Sequence, residues 1–246
     1  MQKLRILHQT PHWLAVDKPA GLRVHPPEDI RYRSAGPQVD VIRSLRAQLG
    51  QLVYPVHRLD SATSGVLLMA LNSETAGLIQ AQFKLDQVRK TYIALVRGWT
   101  DDTHKIETPL SSGLGEGVMQ EALTQVQTLH RFELAIPSSR HSSSRFSLIQ
   151  ASPITGRYHQ IRRHLARISH PLIGDTVHGD GKQNRIWREL TGNSMLYLKA
   201  YHLIFCDPQS GDSVAMRSRW GASWHRVFDR AEFCPYFQPS LSSRID

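Results

Sequence analysis

Cysteine is almost missing from this chain of 246 residues: the two present, Cys206 and Cys234, lie far apart and fit neither a metal-ligand spacing nor a CxxC pair. Neither a thiolate metal site nor a dithiol redox centre is encoded, and both residues read as reduced thiols of a cytosolic protein. Long apolar runs are missing too. The longest clean one, Val66 to Leu71, falls far short of the roughly 20 residues that span a bilayer. The N-terminal "MQKLRILHQTPHWLAVDKPAG" has no long apolar core with a small-residue cleavage site. A soluble, cytoplasmic protein with no membrane attachment is the expectation. Lysine is scarce: of 30 basic residues 23 are arginine, and against 21 acidic residues they leave a net charge of +9 before any histidine protonates. Arginine makes planar, paired contacts with phosphate that lysine cannot, so nucleic acid is the first partner to consider.

Two further signatures are absent. "GDTVHGDGKQNR" sets glycines near a lysine without the GxxxxGK[ST] spacing of a phosphate-binding loop, which argues against nucleotide hydrolysis. His159, His164 and His170 lack the glutamate of HExxH and do not fall on one helical face, so no metal site is assigned.

What is present reads as one large unit, residues 1–246, of two sub-lobes sharing a core; no repeat and no composition shift divides it. "LRILHQTPHWLAVDKPAG" predicts two short strands around a turn. Residues 24–38, rich in Pro, Gly and charge, predict a long surface loop carrying Arg31 and Arg33. A helix follows from Asp40 as N-cap through Leu49, with Val41, Leu45 and Leu49 spaced by fours. "VLLMAL" predicts a buried strand, and "SETAGLIQAQFKLD" a helix capped by Asn72 or Ser73. "RKTYIALVRGW", "TQVQTLHRFELAI" and "RFSLIQASP" predict strands, the last two joined by a polar, mobile loop around residues 138–145. Strands and helices without steady alternation argue for an α+β fold over a doubly wound one.

Two stretches carry chemistry. "HRLDSATSG", His57 to Gly65, places Arg58 two residues before Asp60, in a run of hydroxyls and a glycine just ahead of the buried strand. Thr63 and Ser64 are suited to hold that turn by side-chain hydrogen bonds to the backbone, with Gly65 letting the chain bend into its strand. "TGRYHQIRRHLARISHPLIGD", Thr155 to Asp175, contains a helix whose Ile161, Leu165 and Ile168 form one stripe. Arg162 lies about 100° from Ile161, at the margin of that stripe, whereas Arg163 lies near the opposite face. Arg162 can thus reach a partly buried site, and Arg163 meets solvent or phosphate.

Taken in order, "DKPAGLRVHP", "HRLDSATSG", "KTYIALVRG" and "TGRYHQIRRHLARISHPLIGD" resemble the RluA family of RNA pseudouridine synthases over nearly the whole chain. The resemblance implies the pseudouridine synthase fold: a mixed, mainly antiparallel central sheet with flanking helices and a central cleft. The S4 RNA-binding domain that often precedes it in the family is not expected here. Within the family, "HGDGKQNR" resembles the branch that modifies a uridine in the acceptor stem of tRNA. Residue by residue, Asp60 matches the catalytic aspartate and Arg58 the arginine that helps displace the target nucleotide. Tyr92 matches the tyrosine that packs on the base, and Arg162 the arginine that pairs with the catalytic carboxylate. Tyr158 fills a slot that is often Thr, Ser or Lys, and His178 stands where many members have tyrosine.

The implied reaction breaks the ribose C1′–N1 bond, turns the uracil, joins C1′ to C5 and releases the C5 proton; it draws on no outside atoms or electrons, so no cofactor is expected. A single carboxylate can serve, by attacking the uracil or C1′ or by removing the C2′ proton. It must be ionised in a sheltered site, and the always charged guanidinium of Arg162 is the best placed partner. An ordinary ion pair locking the helix to the turn is the plain alternative. A stacked uridine must be extruded, and Arg58 and Tyr92 are suited to prop the gap and receive the base. Arg31, Arg33, Arg163, Arg167 and Arg185 are the candidates for backbone contacts with RNA. The expected partner is RNA, tRNA foremost, with no protein partner indicated. A ribosomal RNA synthase of the same chemistry, or a silent RNA-binding protein on the same fold, are the competing readings.

Overall fold

The computed structural model describes residues 3–26, 39–113, 117–137 and 141–230. The loop arginines Arg31 and Arg33, most of the predicted 24–38 loop, residues 138–140 of the second loop, and Cys234 lie outside them. The chain opens with an antiparallel pair, β1 (Arg5–Gln9) and β2 (Trp13–Lys18), as the sequence predicts. Helix α1 (Val41–Leu49) starts at Asp40, whose carboxylate accepts from the Arg43 N–H at 2.8 Å, and stops at Gly50 in the left-handed region. A two-residue strand, β3 (Tyr54–Pro55), and the loop bearing Asp60 lead to β4 (Ser64–Ala70), all seven residues of which are buried.

Asn72 rather than Ser73 caps α2 (Ser73–Lys84), by accepting from the Thr75 N–H. Then come β5 (Arg89–Arg97), β6 (Thr103–Ile106), a small separate hairpin of β7 (Leu110–Ser111) and β8 (Met119–Gln120), and the long antiparallel pair β9 (Thr124–Leu134) and β10 (Ser144–Pro153). Helices α3 (Gln160–Arg167) and α4 (Gly181–Thr191), strands β11 (Leu198–Cys206) and β12 (Ser213–Arg217), and helix α5 (Ala222–Arg230) complete the order.

The principal sheet runs β1-β2-β4-β11-β5-β10-β9-β6, with β3 on β4 and β12 on β11; every pairing is antiparallel except β4 with β11. This is the mixed, mainly antiparallel α+β arrangement. Its inner strands β2 and β4 and the second half of β5 are covered on both faces, and the period of two assigns side chains to each. In β2 and β4, Leu14, Val16, Leu67 and Met69 pack with Val41 and Leu45 of α1, while Trp13, Ala15, Val66 and Leu68 pack with Ala76 and Ile79 of α2. In β5, Ala94 and Val96 meet Ile161 and Leu165 of α3, while Ile93 and Leu95 meet Trp187 of α4 and Trp224 of α5. Fully burying each such large apolar side chain is worth about 1.5–3 kcal/mol, so the two faces together hold the sheet between its helices.

The seam between the two halves of the sheet is narrow. β4 and β11 pair only through Ser64 with Lys199 and Gly65 with Ala200; beyond that, β4 turns to β3 and β11 to β12. Gly65 has φ +119°, and a Cβ there would lie 2.1 Å from the Ala200 carbonyl oxygen, so only glycine lets the strands meet. The Asp60 loop enters at this seam.

Candidate active site

The loop carrying Asp60 is tied down by a buried lysine. Lys18 ends β2 with no solvent exposure, and its Nζ donates to the carbonyls of Pro19 at 3.0 Å, Leu22 at 2.7 Å and Ser61 at 3.0 Å. Three acceptors match the three protons of an ammonium, which a neutral amine could not satisfy. Burial drags the Lys18 pKa down to about 7 against the opposing pull of the Asp60 charge. The same carbonyl of Ser61 also accepts from the Gly21 N–H at 2.8 Å. This corrects one sequence expectation: the Ser64 hydroxyl is buried with no hydrogen-bond partner, and Thr63 contributes its backbone N–H to the Asp60 carbonyl. The loop is held by Lys18 and Ser61, because the Ser64 side chain turns with its strand into the core.

Arg162 reaches Asp60 from α3. Its side chain is 6% exposed, and its guanidinium forks onto Asp175, Nε to Oδ2 and Nη2 to Oδ1, both at 2.8 Å. Its Nη1 donates to Asp60 Oδ2 at 3.1 Å and to His159 Nε2 at 2.8 Å. Burial pushes the Arg162 pKa down, but the bonds and charges of Asp175 and Asp60 outweigh it and hold the guanidinium above its usual value. Asp175 is the residue that sequence reasoning missed. Burial would raise its pKa, yet Arg162 and the backbone N–H groups of His178 and Val177 keep it below the usual carboxylate range. It closes the quoted stretch, but an offset of 13 across a helix and a turn gives no periodic signal linking it to Arg162.

Two cavities meet at Asp60. The smaller, about 490 Å³, is lined by Asp60, Tyr92, His57, Ile161 and Leu198 among others; the larger, about 940 Å³, by Asp60, Arg23, His25, Asn193 and Met195 among others. Arg58, Asp60, Tyr158, His159 and Arg162 belong to both. Tyr92, half-buried on β5, has its hydroxyl pKa pushed up by burial and then by the Asp60 charge, so it stays a protonated phenol. Arg58 is exposed on the shared wall, and Tyr158 stacks on His159 with ring centroids 3.9 Å apart. His57 is no acid or base at neutral pH: burial and then Lys90 push its pKa down to about 3, its ring stacks on Phe83, and its Nε2 accepts from the Leu68 N–H at 2.9 Å. Among the described residues no group of three or more His, Cys, Asp or Glu is placed to hold a metal.

The candidate RNA contacts divide. Arg163 donates to the carbonyl and hydroxyl of Ser111 at 2.8 and 2.7 Å, and Arg167 to the Pro109 carbonyl at 2.9 Å. These two fasten the segment before and within β7 to α3. Arg185 is exposed on α4, beside a third cavity of about 330 Å³ that shares Gly174, Thr176, Asn193, Ser194 and Met195 with the largest one.

With Asp60, Tyr92 and Arg162 converging, the four motifs that resemble one family occupy one cleft. The family model for RNA pseudouridylate synthase matches residues 12–167, which include Asp60, Tyr92 and Arg162. The chain belongs to that family. The enzyme class is therefore an isomerase acting on RNA. Among curated relatives of this RNA pseudouridylate synthase, "tRNA pseudouridine synthase C" of Vibrio vulnificus (strain CMCP6) is 37% identical over 239 residues, covering 94% of this chain and 96% of the relative. The protein of the same name from Pasteurella multocida (strain Pm70) is 40% identical over 230 residues, covering 90% and 93%. The solved structure of human RNA pseudouridylate synthase domain containing 1 shares the fold, with a TM-score of 0.70 at 24% identity over 89% of this chain and 84% of that one.

Proposed function

We propose that this synthase isomerises a uridine of tRNA, with Asp60 as its catalytic carboxylate. The observation that carries the reading is the Asp60 carboxylate at the meeting of the two cavities, bound by the guanidinium of Arg162 and sharing the smaller cavity with Tyr92. Arg162 donates to Oδ2, which leaves Oδ1 as the oxygen that attacks the substrate or takes its proton. Tyr92 receives the extruded uracil against its ring, and Arg58 enters the space the base vacates. The flanking nucleotides lie along the larger cavity. In the reaction the C1′–N1 bond breaks, C1′–C5 forms, C5 loses its proton and N1 gains one; the balance closes without cofactor or metal.

The tRNA substrate is supported by the names of the relatives, and the acceptor-stem site by "HGDGKQNR", residues 178–185, which opens α4. Tritium release from tRNA labelled at uridine C5 tests both the reaction and its carboxylate. The wild type releases tritium with no metal or cofactor added, and Asp60→Asn releases none. Release from ribosomal RNA alone would move the enzyme to that substrate, and silence on both RNAs would leave an RNA-binding protein.

A further inference from the structure

We infer that His178 is a positioning residue, which fixes the tautomer of His159 and through it the aim of Arg162 at Asp60; the inference rests on the reading of Asp60 as the catalytic carboxylate. Arg162 Nη1 lies 2.8 Å from His159 Nε2, and a guanidinium can only donate. His159 Nε2 must therefore present its lone pair. A neutral imidazole carries one proton, which must then sit on Nδ1, and Nδ1 lies 3.0 Å from His178 Nε2. His178 Nε2 is thus the acceptor, and the His178 ring proton sits on its own Nδ1. The reverse assignment would strip His159 of both protons.

Burial and the neighbouring cations keep both rings neutral, against the opposing pull of the Asp60 and Asp175 carboxylates. His159 faces Asp60, Arg162, His178 and Asp175, with burial the largest influence, and its pKa falls to about 4. His178 faces Asp175, Arg162, Arg163 and Asp60, and its pKa is lowered as well, again chiefly by burial. The backbone adds a second grip. The His178 N–H donates to Asp175 Oδ1 at 3.0 Å, the same oxygen that receives Arg162 Nη2. One residue thus steadies Arg162 from two sides, by its main chain through Asp175 and by its ring through His159.

If the acceptor on His178 is removed, His159 is free to move its proton to Nε2. That N–H then points at Arg162 Nη1, and the guanidinium is pushed off its line to Asp60. The consequence falls on the chemical step, because Arg162 touches the reacting carboxylate while His178 touches neither Asp60 nor, on this reading, the substrate.

The test compares wild type, His178→Phe, which lacks the acceptor, and His178→Gln, whose side-chain oxygen can accept near the place of Nε2. Long-range 15N NMR on the labelled full-length protein, without RNA, reads the His159 tautomer, and single-turnover rates and Kd are measured on tRNA. The wild type should show His159 protonated on Nδ1 and bare on Nε2. His178→Phe should shift the proton to Nε2 and slow the single-turnover rate about tenfold, with Kd within about twofold. His178→Gln should keep the wild-type tautomer and rate. An Nε2–H tautomer in the wild type overturns the inference without any variant, so it stays open to refutation even if His178→Phe does not fold. A His178→Phe protein with unchanged tautomer, or with changed tautomer and unchanged rate, overturns it too. Inactivity of the wild type would sink the reading of the reaction, whereas the tautomer, measured without RNA, still decides whether His178 controls His159.

Discussion

At the scale of single residues, Arg162 is the most heavily committed side chain in the cleft: four donor contacts leave from one buried fork. Lysine at this position keeps the charge but offers a single point donor, which cannot span Asp175, Asp60 and His159 together. Arg162→Lys should therefore lower the single-turnover rate about a hundredfold and reduce stability by about 3 kcal/mol, since Asp175 is left buried and half-paired. Chemical denaturation beside the tritium assay checks both; an unchanged rate would detach Arg162 from the chemistry. His57 makes a separate prediction. It is half-buried and held neutral with a pKa lowered to about 3, against 6.5 for the free side chain, and His159 follows at about 4. The unfolded chain binds more protons than the folded one in this interval, so stability rises with pH from about 4 to 6.5 and is lost on acidification. Thermal melting across that range should show the slope, and His57→Gln should flatten it while keeping an acceptor for the Leu68 N–H. An equal slope in the variant would assign the acid lability elsewhere.

At the scale of elements, the seam between β4 and β11 is the vulnerable point. Gly65→Ala puts a methyl into backbone at a φ that L residues avoid, and neither strand can retreat without opening the sheet beside the Asp60 loop. A loss of about 3 kcal/mol or more is expected, together with loss of activity. A Gly65→Ala protein that melts with the wild type would show that the close approach is dispensable. The elements themselves were largely legible in the sequence. Asp40, Asn72 and the fourfold spacing of Val41, Leu45 and Leu49 marked α1 and α2, because capping and periodicity are local properties. The short β6, β7, β8 and β12 were not legible, since two to five residues give no periodic signal and form only because a neighbouring strand supplies partners. Helix α4 escaped for another reason. Its glycines beside Lys182 mask a helix start with no apolar run ahead of it, and Asp180 caps that helix by accepting from the N–H groups of Lys182 and Gln183.

At the scale of the whole molecule, the net charge of +9 is a long-range field that favours RNA before any contact forms. RNA affinity should fall steeply with salt, each phosphate contact adding about 0.7–0.9 to the slope of log K against log salt. Arg185→Ala should lower that slope by about 1 and leave the melting temperature unchanged, because the side chain is exposed. Arg163→Ala should instead lower the melting temperature, because its guanidinium holds Ser111 to α3. Binding and melting curves on the two variants separate an RNA contact from a structural clamp.

The capped helices and the apolar alternation follow from neighbours within a few positions along the chain, and the order of the four motifs is read directly from it. The sequence could place Arg162 at the margin of an apolar stripe but not name Asp175 as its second partner or His159 as its third. Those partners, and with them the Lys18 anchor of the Asp60 loop, are set by packing between segments distant along the chain. Such pairings depend on where the seam of the sheet and the turn after α3 bring distant segments together, and no local pattern records that distance.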